Sequence, residues 1–415
     1  MPAAVLTAAT LEALRAATPG TRTTVHFNHA GASLPSAATL DAIQAHLRRE
    51  AEHGPMEAGV AARAHTEQAR QLAAQLLNAQ PGEIALTGGN SPGWGAAFAA
   101  LGPWRPGDRI LVGRHEWGGN LAAMRLAAQR AGASIETIPS DDSGCVDADA
   151  LRAMLDERVR LVALRAMLDE RVRLVALTWL PANGGLINPA AAIGRVTRAA
   201  GVPYFIDAAQ AVGQVPIDVA EVGCDVLSGA GRKALRGPRG TGLLYVRREF
   251  LPRLTPAFVD THSAPLGADG EPQLRDDATR FESAEASMAL RAGLANALQE
   301  ALDIGLEAIR ARIDLVAQAL RAELRAIAGI EVLDQGRELS GLVSFNLAGH
   351  DPAAVQRTLA AQGITIGSNG VPYTPLDMNA RGLAHIARAS VSYLTRDEEI
   401  DRLLDALRAL SRQGA

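Results

Sequence analysis

Apolar positions along this chain follow two rhythms that alternate. Short apolar runs begin near residues 84, 109, 134, 173 and 203, and between them apolar residues recur at helical spacing. Leu40, Ile43 and Leu47 share one helical face, a second helix is predicted over 62–77, and another runs to about Ala131. Strands alternating with helices predict a mainly parallel sheet covered on both faces, because each crossover lays a helix against it. Further strands near 225 and 243 lie too close together for a crossover helix, so one of them is expected to be antiparallel. This gives an α/β fold on a seven-stranded sheet.

From about Phe281 the pattern changes. A long helical stretch over 290–324 precedes strands at 330–333 and 342–347, a helix capped by Asp351-Pro352, and strands at 364–366 and 386–393. Thr395-Arg396-Asp397-Glu398 reads as a capping box for the last helix. We therefore expect a large domain over 27–283 and a smaller α+β domain over 284–415. An amphipathic N-terminal arm, 1–26, is expected to pack with the small domain.

Residues 151–163 recur verbatim as 164–176. Two short identical copies do not make a solenoid, which needs at least three longer units. A tandem duplication explains them. The strand must come from the second copy, over 172–179, because the polar turn Pro181-Ala182-Asn183-Gly184-Gly185 follows it directly. The first copy can start a helix at Asp147 or Asp149, which leaves 159–171 to extend that helix or loop out.

Composition narrows the partners. The formal charge is −4 and the pI about 6.2, with no basic footprint for nucleic acid or an anionic membrane. Two cysteines, Cys145 and Cys224, argue against a disulfide framework. The N-terminus lacks the basic start of an export signal, and no uncharged apolar run approaches the roughly 20 residues of a membrane span. The expected location is the cytoplasm.

The candidate chemistry centres on Lys233, the only lysine in the chain, set in Gly231-Arg232-Lys233-Ala234-Leu235-Arg236-Gly237-Pro238-Arg239-Gly240. Glycines allow close backbone approach, and arginines offer forked donors to an anion. A P-loop requires Ser or Thr after the lysine and then a helix; Ala234 and a strand follow instead. Asp207 ends the predicted buried strand Tyr204-Phe205-Ile206, at the edge where parallel sheets bind ligands. A buried carboxylate and a lysine together suit pyridoxal phosphate (PLP), the carboxylate at the ring nitrogen and the lysine at the aldehyde. Gly88-Gly89-Asn90-Ser91 turns from a strand into a helix whose N-terminus suits a phosphate.

Asp207-Ala208-Ala209-Gln210 and Arg232-Lys233 with Gly237-Pro238-Arg239-Gly240 resemble the class V aminotransferase superfamily, from about Phe27 to the C-terminal helix. The resemblance implies PLP-dependent transferase fold type I and a homodimer with shared active sites. It implies that Lys233 carries the cofactor and Asp207 the pyridine nitrogen, with Trp117 stacked on the ring. Gln210 and Asn183 would hold the phenolic oxygen, and Asn90, Ser91, Arg232 and Ser228 the phosphate. Arg388, in an Arg-x-Ser context, would bind the substrate carboxylate, with Asn183, His29 and Ala32 as further substrate contacts. No metal site is implied. Two departures stand out: Ala230 replaces a common hydroxyl, and Phe281-Glu282-Ser283-Ala284-Glu285 lacks the desulfurases' Gly-Thr.

Desulfurases of the superfamily use a small-domain cysteine, and none lies between Ser340 and Arg388, so we expect no persulfide route. His29-Ala30-Gly31-Ala32-Ser33 and Glu116-Trp117-Gly118-Gly119-Asn120 are most similar to hercynylcysteine sulfoxide lyases. That implies β-elimination at a C–S bond of an amino acid; an aminotransferase or an epimerase resembling isopenicillin N epimerase is the alternative, and a non-catalytic PLP-binding protein a more distant one.

Deleting 151–163 joins Ala150 to Leu164 and restores the single-unit sequence. We expect this variant to fold and to bind PLP with unchanged affinity, as read by absorbance titration. A folded variant that no longer binds PLP would make the extra copy part of the site.

Overall fold

The computed structural model of the chain describes residues 6–155 and 171–413. Strand β1 (Val25–Phe27) stands apart from the next seven: β2 (Ile84–Thr87), β3 (Asp108–Gly113), β4 (Ser134–Ile138), β5 (Arg171–Thr178), β6 (Tyr204–Asp207), β7 (Val226–Ala230) and β8 (Gly242–Val246). Those seven form one sheet in the order β2-β8-β7-β6-β5-β3-β4. All its pairings are parallel except those of β8, which runs antiparallel to β2 and β7. β8 is therefore the expected antiparallel strand. The central strands carry apolar residues on both faces, with Ile110, Leu111, Val112, Phe205 and Ile206 fully buried, as a sheet covered on two sides requires.

The second sheet contains β9 (Ile330–Val332), β10 (Leu342–Leu347), β11 (Ile364–Gly370) and β12 (His385–Ser390), in the order β1-β11-β12-β10-β9. β1 pairs in parallel with β11, so the N-terminal segment joins this smaller sheet. Helix Ala8–Ala16 is tied to the same region: the buried Arg15 donates to the Leu394 carbonyl and pairs with Glu399 at 2.9 Å.

Several expectations shift in detail. The helical stretch over 290–324 is two helices, Met288–Ile304 and Leu306–Arg325, separated at Gly305. Gly305 has φ of 87°, a left-handed conformation that ends a helix cheaply only at glycine. The last helix, Asp397–Gln413, does not use Thr395 and Glu398 as a capping box. Glu399 instead accepts from the Arg396 amide, while Thr395 Oγ1 accepts from Ser392 N. Asn188 lies just before helix Ala190–Ala200 without capping it. Its amide donates to the Thr178 carbonyl and accepts from Val146 N, binding the end of β5 to the neighbouring loop.

Helix Ala148–Leu155 starts just before the first duplicated copy and runs into it, with Asp147 accepting from Asp149 N and Ala150 N. The second copy supplies β5. The expectation for 159–171 lies outside the described residues, apart from Arg171, which opens β5. Among the described residues no helix is long and apolar enough to cross a membrane.

Candidate active site

The loop between β7 and β8 holds Lys233 beside the C-terminal edge of the parallel strands. It is closed on itself by Gly231 N to Thr241 O and Gly237 N to Gly231 O, at 3.0 and 2.8 Å. Arg236 fixes its outer bend in a left-handed conformation, φ 63°. This buried guanidinium donates to Leu34 O, the Tyr393 hydroxyl and Thr18 Oγ1. Of the three loop arginines that could have met an anion, Arg236 is thus used structurally.

Asp207 ends β6 in register with Thr178 of β5 and Ser228 of β7. Only 3% exposed, it accepts from Asn90 Nδ2 at 2.9 Å, Asn120 Nδ2 at 2.8 Å and Ala209 N at 2.9 Å. Three donors satisfy it without a direct cation. A cavity of about 300 Å³ opens beside it, at the small end of the range for small-molecule sites, roughly 300–1,000 Å³. Asn90, Ser91, Trp117, Asp207, Gln210, Arg232 and Lys233 all line it, so seven of the residues singled out in the sequence converge on one space.

The others lie elsewhere. Ser228 is buried within β7 and its hydroxyl has no partner among the described residues. The Asn183 amide donates to Gly370 O and Thr374 Oγ1, which turns it toward the small sheet. His29 is buried against Ser33 Oγ at 3.1 Å and borders two small separate cavities. Ala32 offers its carbonyl to His26. Their loop does reach the site, but through other residues: Gly31 O accepts from Arg232, Ala30 O from Gln210, and Asn28 Oδ1 from Arg388. Asn28 was not singled out, because its role depends on β12 lying beside β1's end, a contact across the whole chain.

Arg388 projects from β12, 4% exposed, with Nη1 on the Ala182 carbonyl and Nε buried without a partner. Burial lowers its affinity for a proton to a pKa of about 10, with Arg232 adding repulsion and Tyr373 opposing it. A carboxylate is the ligand such a guanidinium lacks. Lys233 is pushed down to about 7, first by burial, against the pull of Asp207, and further by Arg232 and Arg388. Much of its amine is then neutral and nucleophilic near pH 7.

Glu116 is the main functional-looking residue that sequence reasoning passed over. It is 1% exposed, accepts from Asn120 Nδ2 at 2.9 Å, and Asn120 also serves Asp207. Burial and the Asp207 charge push its carboxyl up to about 8. The only signal was its place in the Glu116-Trp117-Gly118-Gly119-Asn120 segment. Trp117 itself donates its backbone N–H to Thr178 Oγ1 and meets Tyr373 edge-on at 5.5 Å.

The sequence matches the model of the aminotransferase class-V family over residues 25–167 and again over 163–403. The chain belongs to that family. The two matches meet inside the duplicated stretch, as a surplus copy there requires. A probable hercynylcysteine sulfoxide lyase of Mycobacterium tuberculosis is 33% identical over 92% of this chain and 89% of its own. A probable cysteine desulfurase of Xylella fastidiosa is 29% identical, covering 92% and 90%. Among solved structures, the cystine C–S lyase C-DES in complex with its reaction product cysteine persulfide is 27% identical. It superimposes with a TM-score of 0.82 over 94% of this chain and 99% of that one.

The fold is the type I fold of PLP-dependent transferases, and PLP is the cofactor. The residues present fit it. Lys233 is depressed into the nucleophilic range, Asp207 is a buried carboxylate beside it, and helix Asn90–Ala100 opens its N-terminus into the cavity. Gln210 Oε1 and Asn90 Oδ1 are buried and unpaired among the described residues, which leaves polar atoms for a polar ligand to satisfy.

The Glu116 shift has a sign that can be measured. Its folded value near 8 lies above the ordinary 4.5, so its stabilisation is complete below about pH 4.5 and is lost as pH rises to about 8. We expect wild type to lose at least about 1 kcal/mol relative to Glu116→Gln across that interval. Chemical denaturation at several pH values measures it, and a pH-independent difference would place the ionised form in the folded protein.

Proposed function

We propose that the chain is a PLP-dependent lyase that cleaves a C–S bond of an amino acid by β-elimination, releasing a sulfur species, pyruvate and ammonia. One observation carries the choice within the family: the cavity is lined by a base and polar groups but by no thiol. Cys145 is buried with Sγ on Ile187 O, and Cys224 is fully buried, its thiol pushed far up by burial. A persulfide-forming desulfurase needs a reactive thiolate at the substrate, and the chain holds no other cysteine. The names of the sulfoxide lyase relative and of the C–S lyase structure support the same choice.

Bound PLP supplies the electron sink that makes the substrate Cα–H acidic. In this reading Arg388 grips the α-carboxylate, with its unpaired Nε completing a fork. The neutral fraction of Lys233 takes the Cα proton onto Nζ. Asp207, fixed by Asn90, Asn120 and Ala209, holds a proton at the cofactor's ring nitrogen. Trp117 covers one side of the cavity and excludes water. Gln210 orients the ring's oxygen, and Asn90, Ser91 and Arg232 receive the phosphate. Asn183 steadies the site from behind, through Gly370 and Thr374.

We further propose the division into an arm of 1–26, a large domain of 27–283 and a small one of 284–415, working as a cytoplasmic homodimer with shared sites. The unpaired thiols support a reducing compartment. A second cavity of about 350 Å³, sharing Gly88, Pro92, Gly240 and Thr241 with the first, supports a partner approaching at that end.

Because the chain offers no second lysine, Lys233→Ala should lose the borohydride-reducible link to PLP that the wild type shows. A variant that keeps such a link would overturn the assignment. Product analysis with candidate sulfur amino acids decides the reaction. Pyruvate with ammonia is expected; a keto acid with pyridoxamine phosphate would mean transamination, and a racemised amino acid epimerisation.

A further inference from the structure

The phosphate end of the cavity poses a problem of charge. Ala230 offers no hydroxyl there, and the Thr241 hydroxyl already donates its single proton to Pro238 O at 2.7 Å. Asn90 spends its side-chain amide on Asp207. Arg232 has one arm on the Gly31 carbonyl and acts on both Arg388 and Lys233, which places it toward the substrate side. A dianionic phosphate at the start of helix Asn90–Ala100 would then have Ser91 and the first backbone N–H groups but no cation of its own.

Arg239 lies at that end. It lines the cavity beside Gly240, Thr241, Gly88 and Gly89, where β8 and the β2 turn touch: a Cβ on Gly242 would sit 2.5 Å from the Gly89 carbonyl carbon. It has no hydrogen bond or ion pair among the described residues. Glu285, on the adjoining cavity, pairs with it no more than with any other cation. Arg239 also repels Arg232, whose proton affinity is lowered by burial first and by Arg239 second. Arg239 is exposed, and two guanidiniums sharing a rim with no carboxylate between them make a positive edge that an anion would bridge favourably.

We propose that Arg239 is a phosphate-binding residue for PLP, supplying the contact that Ala230 cannot make and leaving Arg232 to bridge phosphate and substrate sides. This rests on the cofactor placement given above, with the phosphate at the helix N-terminus. A charge-assisted contact to a dianion is among the strong hydrogen bonds, and its loss should weaken binding roughly tenfold to a hundredfold.

The test compares PLP with pyridoxal, which lacks the phosphate, on the apoenzyme. Dissociation constants for both are measured by absorbance for wild type, Arg239→Gln and Arg239→Lys. The expected result is a wild type that prefers PLP strongly, a Gln variant whose preference falls tenfold or more through weaker PLP binding alone, and a Lys variant that recovers part of it. Apoprotein melting temperatures should match, since Arg239 has no internal partner to lose. An unchanged preference in Arg239→Gln, or equal weakening for both ligands, overturns the Arg239 assignment and leaves the cofactor placement standing. A wild type that shows no preference for PLP over pyridoxal overturns both.

Discussion

The Asp207 carboxylate is the constraint on which the rest of the site depends. A charge buried at the end of a central strand costs several kcal/mol unless it is satisfied, and here the satisfaction is neutral: two asparagine amides and one backbone N–H. Those partners come from three places in the chain, the start of helix Asn90–Ala100, helix Gly118–Ala131 and the turn after β6. Solvating one carboxylate therefore fixes the helix N-terminus, the Trp117 segment and the β6 turn relative to one another. The Lys233 loop then closes over the same edge from β7.

Asn120 extends this coupling. By donating to both Asp207 and Glu116 it places two carboxyl groups on one amide. Two such groups are not both ionised cheaply in a buried space, and burial together with the neighbouring Asp207 pushes the Glu116 carboxyl up to about 8. This is the pattern by which neighbouring titratable groups are pushed apart to separate roles.

Much of this was legible in the sequence because its carriers are local. The sheet strands are apolar runs bounded by turns, and Asp207, Gln210 and Lys233 sit at the ends of such runs. What was not legible depends on pairing between distant segments. Asn28 meets Arg388 because β1 joins β11, more than 330 residues away in sequence. Asn183 reads as a turn residue facing a ligand, yet its amide is taken by Gly370 and Thr374 from the other sheet. Arg236 looked equivalent to Arg232 and Arg239 in a basic loop, and only its left-handed backbone and its buried partners separate it from them. For His29 and Ala32 the reason is related: the loop is in place, and the atoms it offers Arg232, Gln210 and Arg388 are two carbonyls and the Asn28 side-chain oxygen.

The balance of charge explains why the site asks for a cofactor and a substrate that are both anionic. Lys233, Arg232 and Arg388 act on one another through low-dielectric protein, with Asp207 opposing the effect at Lys233 and Tyr373 at Arg388. Burial first, and the two arginines after it, lower the proton affinity of Lys233, the most labile of these cations because guanidinium does not deprotonate readily. A phosphate at one end and a carboxylate at the other would neutralise the arginines and raise the Lys233 value again. On the proposed function, the lysine would be most nucleophilic before ligands bind, when it captures the cofactor, and a stronger base once a carboxylate sits on Arg388, when it takes a proton from carbon. The two guanidiniums, Arg232 and Arg388, would in this way time both functions of one amine.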